Sequence, residues 1–341
     1  MMAKWVTTKR SRAALLIIMT IIAALALAGC GSKAGSNNAE QTNSKPAEDA
    51  AAATNNDGQA RVVKHAMGET EIKGTPQRVV VLTNEGTEAV LALGVKPAGA
   101  VKSWTGDPWY DHIKQDMEGV TVVGEESQPN LELIAGLKPD LIIGNKMRQE
   151  KVYEQLKAIA PTVMSEDLRG NWKNNFKLYA EALGKSAEGG ELLAAFDKRI
   201  EDFKTKAGDK VKETVSVVRF MAGKTRVYHT NTFSGIIFGQ IGLARTEMTK
   251  NAKDTFVDEI TKERLPEADA DRLFYFTYDT GDGKGSETEQ EWTGDALWKN
   301  LGAVKEGHVY KVDDAIWNTA GGIKAATLLL DQLYEIYGVT S

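Results

Sequence analysis

Tryptophan, tyrosine and arginine side chains follow the predicted strands of this sequence at several separate places. A guanidinium presents a planar fork of N–H groups that matches paired oxygen atoms, and aromatic rings offer flat apolar surfaces. Ligands of open α/β sheets bind beyond the carboxyl ends of the strands. Taken singly, each residue is better explained as packing or solvated charge, but the set predicts a cleft with aromatic walls and anion-binding arginines. The predicted ligand-binding residues are Trp104, Trp109, Arg148, Arg219, Arg226, Tyr228, Tyr278, Trp292 and Trp317.

The strands that position these residues alternate with helices. A continuous apolar run such as 78–82 is typical of a strand buried on both faces, and the alternation predicts mostly parallel α/β sheets. A small hairpin is predicted at 61–73, Ser234 is expected to cap a helix, and a Gly- and Asp-rich loop after the strand 272–276 is expected to carry Trp292. The predicted strands are 78–82, 95–101, 120–123, 141–144, 161–164, 214–220, 226–229, 272–276 and 308–312. The predicted helices are 87–93, 131–137, 150–159, 172–183, 234–242, 295–300 and 322–337.

A longer helical segment, 186–207, separates two comparable halves of the chain. Its apolar residues recur at helical spacing and form one stripe, and the helix is expected to be about 30 Å long. The fold predicted is α/β, with two Rossmann-like lobes joined by this single helix. An ordinary surface helix inside one domain is the alternative. The predicted divisions are a signal peptide at 1–29, a flexible tether at 30–60, an N-terminal lobe at 61–185, a connecting helix at 186–207 and a C-terminal lobe at 208–341.

A basic start and a short apolar run open the chain. The run, 13–28, is too short for a membrane span and is typical of a secretory signal. The residues Leu27-Ala28-Gly29-Cys30 resemble a lipobox, after which a lipoprotein is cut and its cysteine acylated. Cys30 is the one cysteine of the chain, so it has no intramolecular disulfide partner. We therefore predict lipid attachment at Cys30, with a buried or stray thiol as the alternative.

The charge balance excludes nucleic acid as a partner. The segment 1–29 contains four basic residues and no acidic ones, so its removal lowers the formal net charge from −5 to −9. No basic run is left to follow a phosphate backbone. The segment 31–59 is rich in Ala, Asn, Thr and Gln, which favours a flexible tether. The expected protein is a globular body, tethered on the extracytoplasmic face of the cell membrane.

Catalytic and metal-binding motifs are absent from the sequence. The four histidines are scattered, and no His-x-His or Cys-x-x-Cys occurs. Gly-x-Ser-x-Gly, His-Glu-x-x-His and a phosphate-binding loop are also missing. We therefore predict no enzyme, no metal site and no cofactor. An extracellular hydrolase that uses two carboxylates across the cleft stays as an alternative.

Several stretches resemble the iron–siderophore binding family, whose members are substrate-binding lipoproteins of ABC importers. The resemblance covers nearly all of residues 60–338. Its most specific part is the Leu-Lys-Pro-Asp-Leu-Ile-Ile run that follows Asn-Leu-Glu. The matching stretches are Arg78-Val-Val-Val-Leu82, Ala92-Leu-Gly-Val-Lys-Pro97, Asn130-Leu-Glu-Leu-Ile134, Leu137-Lys-Pro-Asp-Leu-Ile-Ile143 and Trp317-Asn-Thr-Ala-Gly-Gly322.

This resemblance implies a fold and a function. The fold is the class III periplasmic-binding-protein fold. The ligand is a ferric siderophore of the hydroxamate or citrate type, with iron bound only through the siderophore, and a monomeric protein delivers it to an ABC permease. Another chelate such as heme or cobalamin, or a free metal ion, is the alternative. Alanine at Arg148 or Arg219 is expected to weaken binding with folding unchanged.

The resemblance also implies two permease-docking residues. Family members carry one glutamate at the top of each lobe, and the Asn-Leu-Glu match places the first at Glu132. The second lies in a Ser-x-Glu-x-Leu pattern, for which Thr261-Lys-Glu-Arg-Leu265 stands here and indicates Glu263. Glu259 lies one helical turn earlier and competes for that role. Ordinary acidic residues near helix N-termini are the alternative explanation for both.

Overall fold

The computed structural model describes residues 60–168, 170–250 and 255–340. The predicted signal peptide, Cys30 and residues 30–59 of the predicted tether lie outside the described residues. Residue 60, the last of the predicted tether, already belongs to the first strand, Ala60–His65. Within the described ranges, no helix combines the length and the apolar character needed to cross a membrane.

A parallel sheet forms the centre of the N-terminal half. Its middle strand, Val79–Val81, is fully buried, as its continuous apolar sequence predicts. The five strands of this N-terminal sheet, in spatial order, are Thr121–Val122, Gly99–Ala100, Val79–Val81, Leu141–Asn145 and Thr162–Ser165. Two small antiparallel pairs accompany it, Ala60–His65 with Gly68–Lys73 and Gly124–Glu125 with Gln128–Pro129. The helical segments of this half are Asn84–Ala92, Leu131–Gly136, Lys146–Gln149, Glu150–Val152, Tyr153–Ile159 and Trp172–Leu183.

A mixed sheet forms the centre of the C-terminal half. Its longest strand, Thr214–Met221, pairs in parallel with Arg272–Thr277 and antiparallel with Lys224–Tyr228. The strands of this C-terminal sheet, in spatial order, are Val257–Ile260, Lys224–Tyr228, Thr214–Met221, Arg272–Thr277 and Val309–Lys311, with Ala244–Arg245 also on Thr214–Met221. The helical segments are Gly208–Lys212, Phe233–Ile241, Glu247–Lys250, Lys262–Ala268, Lys284–Thr293, Ala296–Lys299, Gly302–Glu306, Ala315–Thr319 and Ile323–Ile336.

One 22-residue helix, Ser186–Ala207, joins the segments that build the two sheets. Phe196 on its buried stripe meets Trp172 edge to face, with ring centroids 5.4 Å apart. Phe203, two turns further, meets Tyr334 of the last helix in the same way at 5.2 Å. The helix therefore packs on helices of both halves. The predicted helix is present over the predicted residues, and the lobe boundaries 61–185 and 208–341 stay a prediction.

Three local predictions are wrong. Ser234 lies inside its helix, which begins at Phe233 after Thr232. The strand predicted at 95–101 is reduced to Gly99–Ala100. The loop predicted around Trp292 is instead a helix, Lys284–Thr293, because the Asp279 carboxylate accepts hydrogen bonds from the backbone at its start. A capping interaction from outside the segment thus overrides a glycine-rich sequence.

Candidate functional site

A cavity of about 660 Å³ opens where strands of both sheets end. Arg148 follows Leu141–Asn145 of the N-terminal sheet, and Tyr278 follows Arg272–Thr277 of the C-terminal sheet. The expected position beyond the strand ends is therefore where the cavity lies. Six of the nine predicted ligand-binding residues line it together, namely Trp104, Arg148, Arg219, Arg226, Tyr228 and Tyr278.

The other three predicted residues do not line this cavity. Trp317 is fully buried and packs against Phe274 in a tilted arrangement, with ring centroids 4.7 Å apart. Trp109 is 7% exposed in the large hydrophobic core that residues of both halves form, and Trp292 is 8% exposed in a second core within the C-terminal half. A large aromatic ring after a strand can turn inward and fill the core as readily as it can face a ligand. The predicted cavity wall is corrected accordingly, and the ligand contacts themselves stay a prediction.

Arg219 is held by a buried carboxylate. Its Nε lies 2.7 Å from Asp314 Oδ1, and the two side chains are 8% and 5% exposed. Its Nη1 donates to the Tyr228 hydroxyl at 3.0 Å, and its guanidinium carbon lies 4.6 Å from the centre of the Tyr278 ring. The guanidinium is thus fixed in one orientation at the cavity wall. The expectation that its loss leaves folding unchanged is revised, since Asp314 would then be buried without a counter-charge.

Arg148 and Arg226 are held more loosely. Arg148 Nε lies 3.5 Å from Glu126 Oε2, and its guanidinium carbon lies 5.6 Å from the centre of the Trp104 ring. Arg226 Nε lies 3.8 Å from Glu259 Oε2. Both arginine side chains are about one third exposed, at 38% and 30%. Because a long, partly hydrated ion pair is weak, Arg226 can turn toward a ligand at little cost, whereas Arg148 would leave the buried Glu126 carboxylate without its counter-charge.

The structure adds cavity residues that the sequence did not indicate. Glu85 lies in the wall just after the strand Val79–Val81, and burial raises the pKa of its carboxyl well above the ordinary range. Burial therefore favours the protonated form of this side chain. Its place after a buried strand is the one sequence signal that could have identified it. The other added residues are Glu126, Met147, Leu168, Thr232, Phe233, Thr255, Phe256, Val257, Asn318, Thr319, Ala320 and Gly321.

The two predicted docking residues lie away from the cavity. Glu132 is exposed in the first turn of the helix Leu131–Gly136, and Glu263 is exposed in the first turn of the segment Lys262–Ala268. A hydrogen bond with Thr261 lowers the pKa of Glu263. Both positions could carry a negative charge to a partner, and their docking role stays a prediction.

The acidic and histidine side chains do not form a metal centre. In the described ranges, no group of three or more His, Cys, Asp or Glu residues could hold a metal ion. The cavity instead combines arginine side chains with aromatic rings, polar groups and the two buried carboxyl groups of Glu85 and Glu126. Such a wall suits a ligand that brings anionic oxygen atoms and apolar surface of its own.

Sequence comparison connects this cavity to a family of binding proteins. Residues 79–316 match the family model described as periplasmic binding protein. A probable siderophore-binding lipoprotein of Bacillus subtilis is 52% identical over 93% of this chain and 96% of its own length. An Fe(3+)-citrate-binding protein of Bacillus subtilis is 32% identical over 95% of this chain and 97% of its own.

A solved structure supports the same relationship. Staphylococcus aureus SirA complexed with staphyloferrin B is 41% identical and matches with a TM-score of 0.76, over 82% of this chain and 99% of that chain. The two sheets and the connecting helix described above therefore belong to a known arrangement of two α/β lobes.

Proposed function

The chain belongs to the periplasmic binding protein family, and on that premise we propose that it captures a ferric siderophore outside the cytoplasm and delivers it to an ABC permease for iron uptake. The observation that carries the proposal is the meeting of arginines from both sheets in one aromatic-walled cavity. Arg148 approaches from the N-terminal sheet and Arg226 from the C-terminal sheet. The protein is thus a binding protein rather than an enzyme.

The ligand class follows from the charges of the cavity wall. A ferric siderophore with hydroxamate or citrate-type groups surrounds its iron with oxygen atoms, which guanidinium groups can bind in pairs. The siderophore itself supplies the iron ligands, so the protein needs no metal site of its own. The names of the relatives support this class, since one is an Fe(3+)-citrate-binding protein and another is solved with staphyloferrin B.

Intrinsic fluorescence tests the proposal. Trp104 lies in the cavity wall, so a ferric ligand bound there should quench its emission. We expect saturable quenching by ferric staphyloferrin B, ferric citrate or a linear ferric trihydroxamate. A Trp104→Phe variant should lose a large part of the quenching while it keeps the affinity within about tenfold. If none of the three ferric probes quenches the parent protein, the proposed ligand class is wrong.

The proposal includes the place where the protein works. A lipid anchor at Cys30 would keep the mature protein at the extracytoplasmic face of the cell membrane, and stable anchoring requires two acyl chains. The partner is an ABC permease that meets Glu132 and Glu263, and the binding protein acts as a monomer. A Cys30→Ala variant should leave the membrane fraction. Retention there as firm as that of the parent would show that something else anchors the chain.

A further inference from the structure

Arg148, the cavity arginine that follows a strand of the N-terminal sheet, forms an ion pair with the buried carboxylate of Glu126. Glu126 Oε2 lies 3.5 Å from Arg148 Nε, and the Glu126 side chain is 3% exposed whereas that of Arg148 is 38% exposed. The ion pair therefore joins a nearly buried group of the cavity wall, Glu126, to a more exposed one, Arg148. This ion pair is longer than a charge-assisted hydrogen bond. It therefore restrains Arg148 but leaves the guanidinium N–H groups able to bind other acceptors.

The other carboxylate oxygen of Glu126 is firmly held. Oε1 accepts hydrogen bonds from the Asn84 backbone N at 2.6 Å and from Asn84 Nδ2 at 2.8 Å. Asn84 is the first residue of the helix Asn84–Ala92, where the helix dipole also favours a negative charge. The carboxylate is thus fixed on one side, and its second oxygen faces Arg148.

Arg148 has a second contact that keeps it near the cavity wall. Its guanidinium carbon lies 5.6 Å from the centre of the Trp104 ring. A cation over an aromatic face is attracted by the ring quadrupole, but the attraction is modest at a partly exposed site. Both contacts can be given up when stronger acceptors reach the cavity.

We propose that Glu126 is a positioning residue: it holds Arg148 at the wall of the empty cavity, releases it to the oxygen atoms of an anionic ligand, and takes up one proton in exchange. The inference rests on the proposed function. In this exchange, a ligand oxygen replaces Glu126 Oε2 as the partner of Arg148. The proton comes from solvent and forms an O–H bond on the Glu126 carboxyl, so the buried site stays neutral.

The electrostatics of Glu126 favour this exchange. Burial raises the pKa of its carboxyl, while the hydrogen bonds from Asn84 and the charge of Arg148 oppose that rise. When Arg148 turns away and an anion arrives, the pKa of Glu126 rises further. The bound-state pKa then exceeds the free-state pKa. Affinity should therefore increase as pH falls through the bound-state pKa, and level off below the free-state pKa.

Burial favours the neutral form of the other titratable groups around Glu126, which are Glu85, Tyr110 and Tyr179. Glu85 lies on the helix that Asn84 begins, and burial raises its pKa well above the ordinary range. Tyr110 and Tyr179 face Glu126 from the loop after Trp104 and from the helix Trp172–Leu183, and burial raises the pKa of both phenols. Arg148 is the charged group in the ion pair with Glu126, and the Trp104 side chain is a further hydrogen-bond partner that lowers the pKa of Glu126.

A ligand-free measurement tests whether Glu126 holds Arg148. The fluorescence difference between the parent and Trp104→Phe isolates the indole that Arg148 covers. We expect this signal to titrate with a midpoint above the ordinary glutamate value of about 4.3. The transition should vanish in Glu126→Gln and persist in Glu259→Gln, a matched control that removes the partner of Arg226. The positioning role of Glu126 is overturned if the parent shows no fluorescence transition with pH, or if Glu126→Gln leaves that transition unchanged.

Calorimetry tests the proton exchange. Titrations of ferric staphyloferrin B or ferric citrate in buffers of different protonation enthalpy count the protons taken up on binding. We expect uptake approaching one proton per ligand in the parent and in Glu259→Gln, because the Glu259 side chain is 50% exposed and stays hydrated. Glu126→Gln should show none. With one linked proton, the parent's affinity should gain up to about tenfold for each unit of falling pH.

The outcomes separate the inference from the proposed function. If no ferric probe binds the parent, the proposed function fails, and the ligand-free titration still decides the role of Glu126. If a probe binds the parent without proton uptake, the inference alone is wrong. Should Glu126→Gln not fold, Arg148→Ala replaces it, because Glu126 without its counter-charge should take up its proton at a higher pH than in the parent. The Trp104 side chain also hydrogen-bonds Glu126, so the fluorescence still reports the transition, and a midpoint that Arg148→Ala leaves unchanged would overturn the positioning role.

Discussion

The three cavity arginines are paired with carboxylates to different degrees, and this decides what each can do. Arg219 and Asp314 form a short pair that is almost closed off from water. Thr319 Oγ1 also donates to Asp314 at 3.0 Å, so the carboxylate belongs to a connected network. Arg226 and Glu259 form a longer and more hydrated pair. At this scale, one arginine is part of the framework and another is available to a ligand.

Alanine substitutions should separate these two roles. Arg219→Ala leaves Asp314 buried without its counter-charge, and we expect the free energy of unfolding to fall by about 3–5 kcal/mol. Arg226→Ala should change that free energy by less than about 0.5 kcal/mol but weaken ligand binding by about one to two decades. Urea unfolding and fluorescence titration measure the two quantities. Equal stability of both variants would contradict the framework role of Arg219.

The connecting helix Ser186–Ala207 packs tightly at its N-terminal end. A β-carbon added at Gly189 would lie 2.6 Å from Ala180 Cβ of the preceding helix, whereas one added at Gly190 would meet nothing within 4 Å. Both glycines lie in the helix, so their backbone conformations are comparable. The two neighbours therefore differ in packing and not in secondary structure.

This pair offers a matched test of the helix contact. Gly189→Ala should destabilise the protein by about 1–3 kcal/mol, because the two helices would have to move apart. Gly190→Ala should stabilise it by about 0.5–1 kcal/mol, because alanine loses less backbone entropy than glycine in a helix. Thermal or urea unfolding measures both. If Gly189→Ala is as stable as Gly190→Ala, the helices are not in close contact there.

At the scale of the molecule, the described residues form two large sheets and one long helix between the segments that build them. A helix resists bending, because its backbone hydrogen bonds must be kept and its buried stripe must stay covered. Phe196 and Phe203 anchor the connecting helix to helices of both halves. Large movements of one lobe against the other would have to break one of these contacts.

Ligand binding should therefore close the cavity only slightly. We expect X-ray scattering curves of the empty protein and of the protein saturated with a ferric siderophore to nearly superpose. A protein whose lobes were joined by flexible strands could close much further. A large decrease in the radius of gyration on loading would rule out the connecting helix as a stiff element.

Permease docking is expected to depend on charge at the tops of the lobes. Glu132 and Glu263 are exposed and lie outside the cavity wall. Glu132→Arg and Glu263→Arg should each cripple iron uptake by cells while ligand affinity stays at the parent's value. Glu259→Arg provides a nearby comparison for the second site. A loss of affinity in Glu132→Arg would place that residue in the binding site instead.

Local sequence determined much of the architecture. The run Arg78-Val-Val-Val-Leu82 indicates a strand buried on both faces, and the apolar spacing of 186–207 indicates a helix, because both patterns depend on near neighbours in the chain. The rule that ligands bind beyond the carboxyl ends of the strands also located six of the cavity residues. It could not tell which aromatic rings face the cavity, since Trp104 and Trp317 both follow predicted strands.

Tertiary structure alone decided the electrostatics of the site. Arg219 meets Asp314, which lies 95 positions further along the chain, and Glu126 accepts hydrogen bonds from Asn84, 42 positions earlier. Burial and ion pairing depend on such distant neighbours, which a local pattern does not contain. Sequence therefore identified arginines that line one cavity, and the fold decided that Arg219 is held in a buried ion pair and that the buried Glu126 carboxylate restrains Arg148.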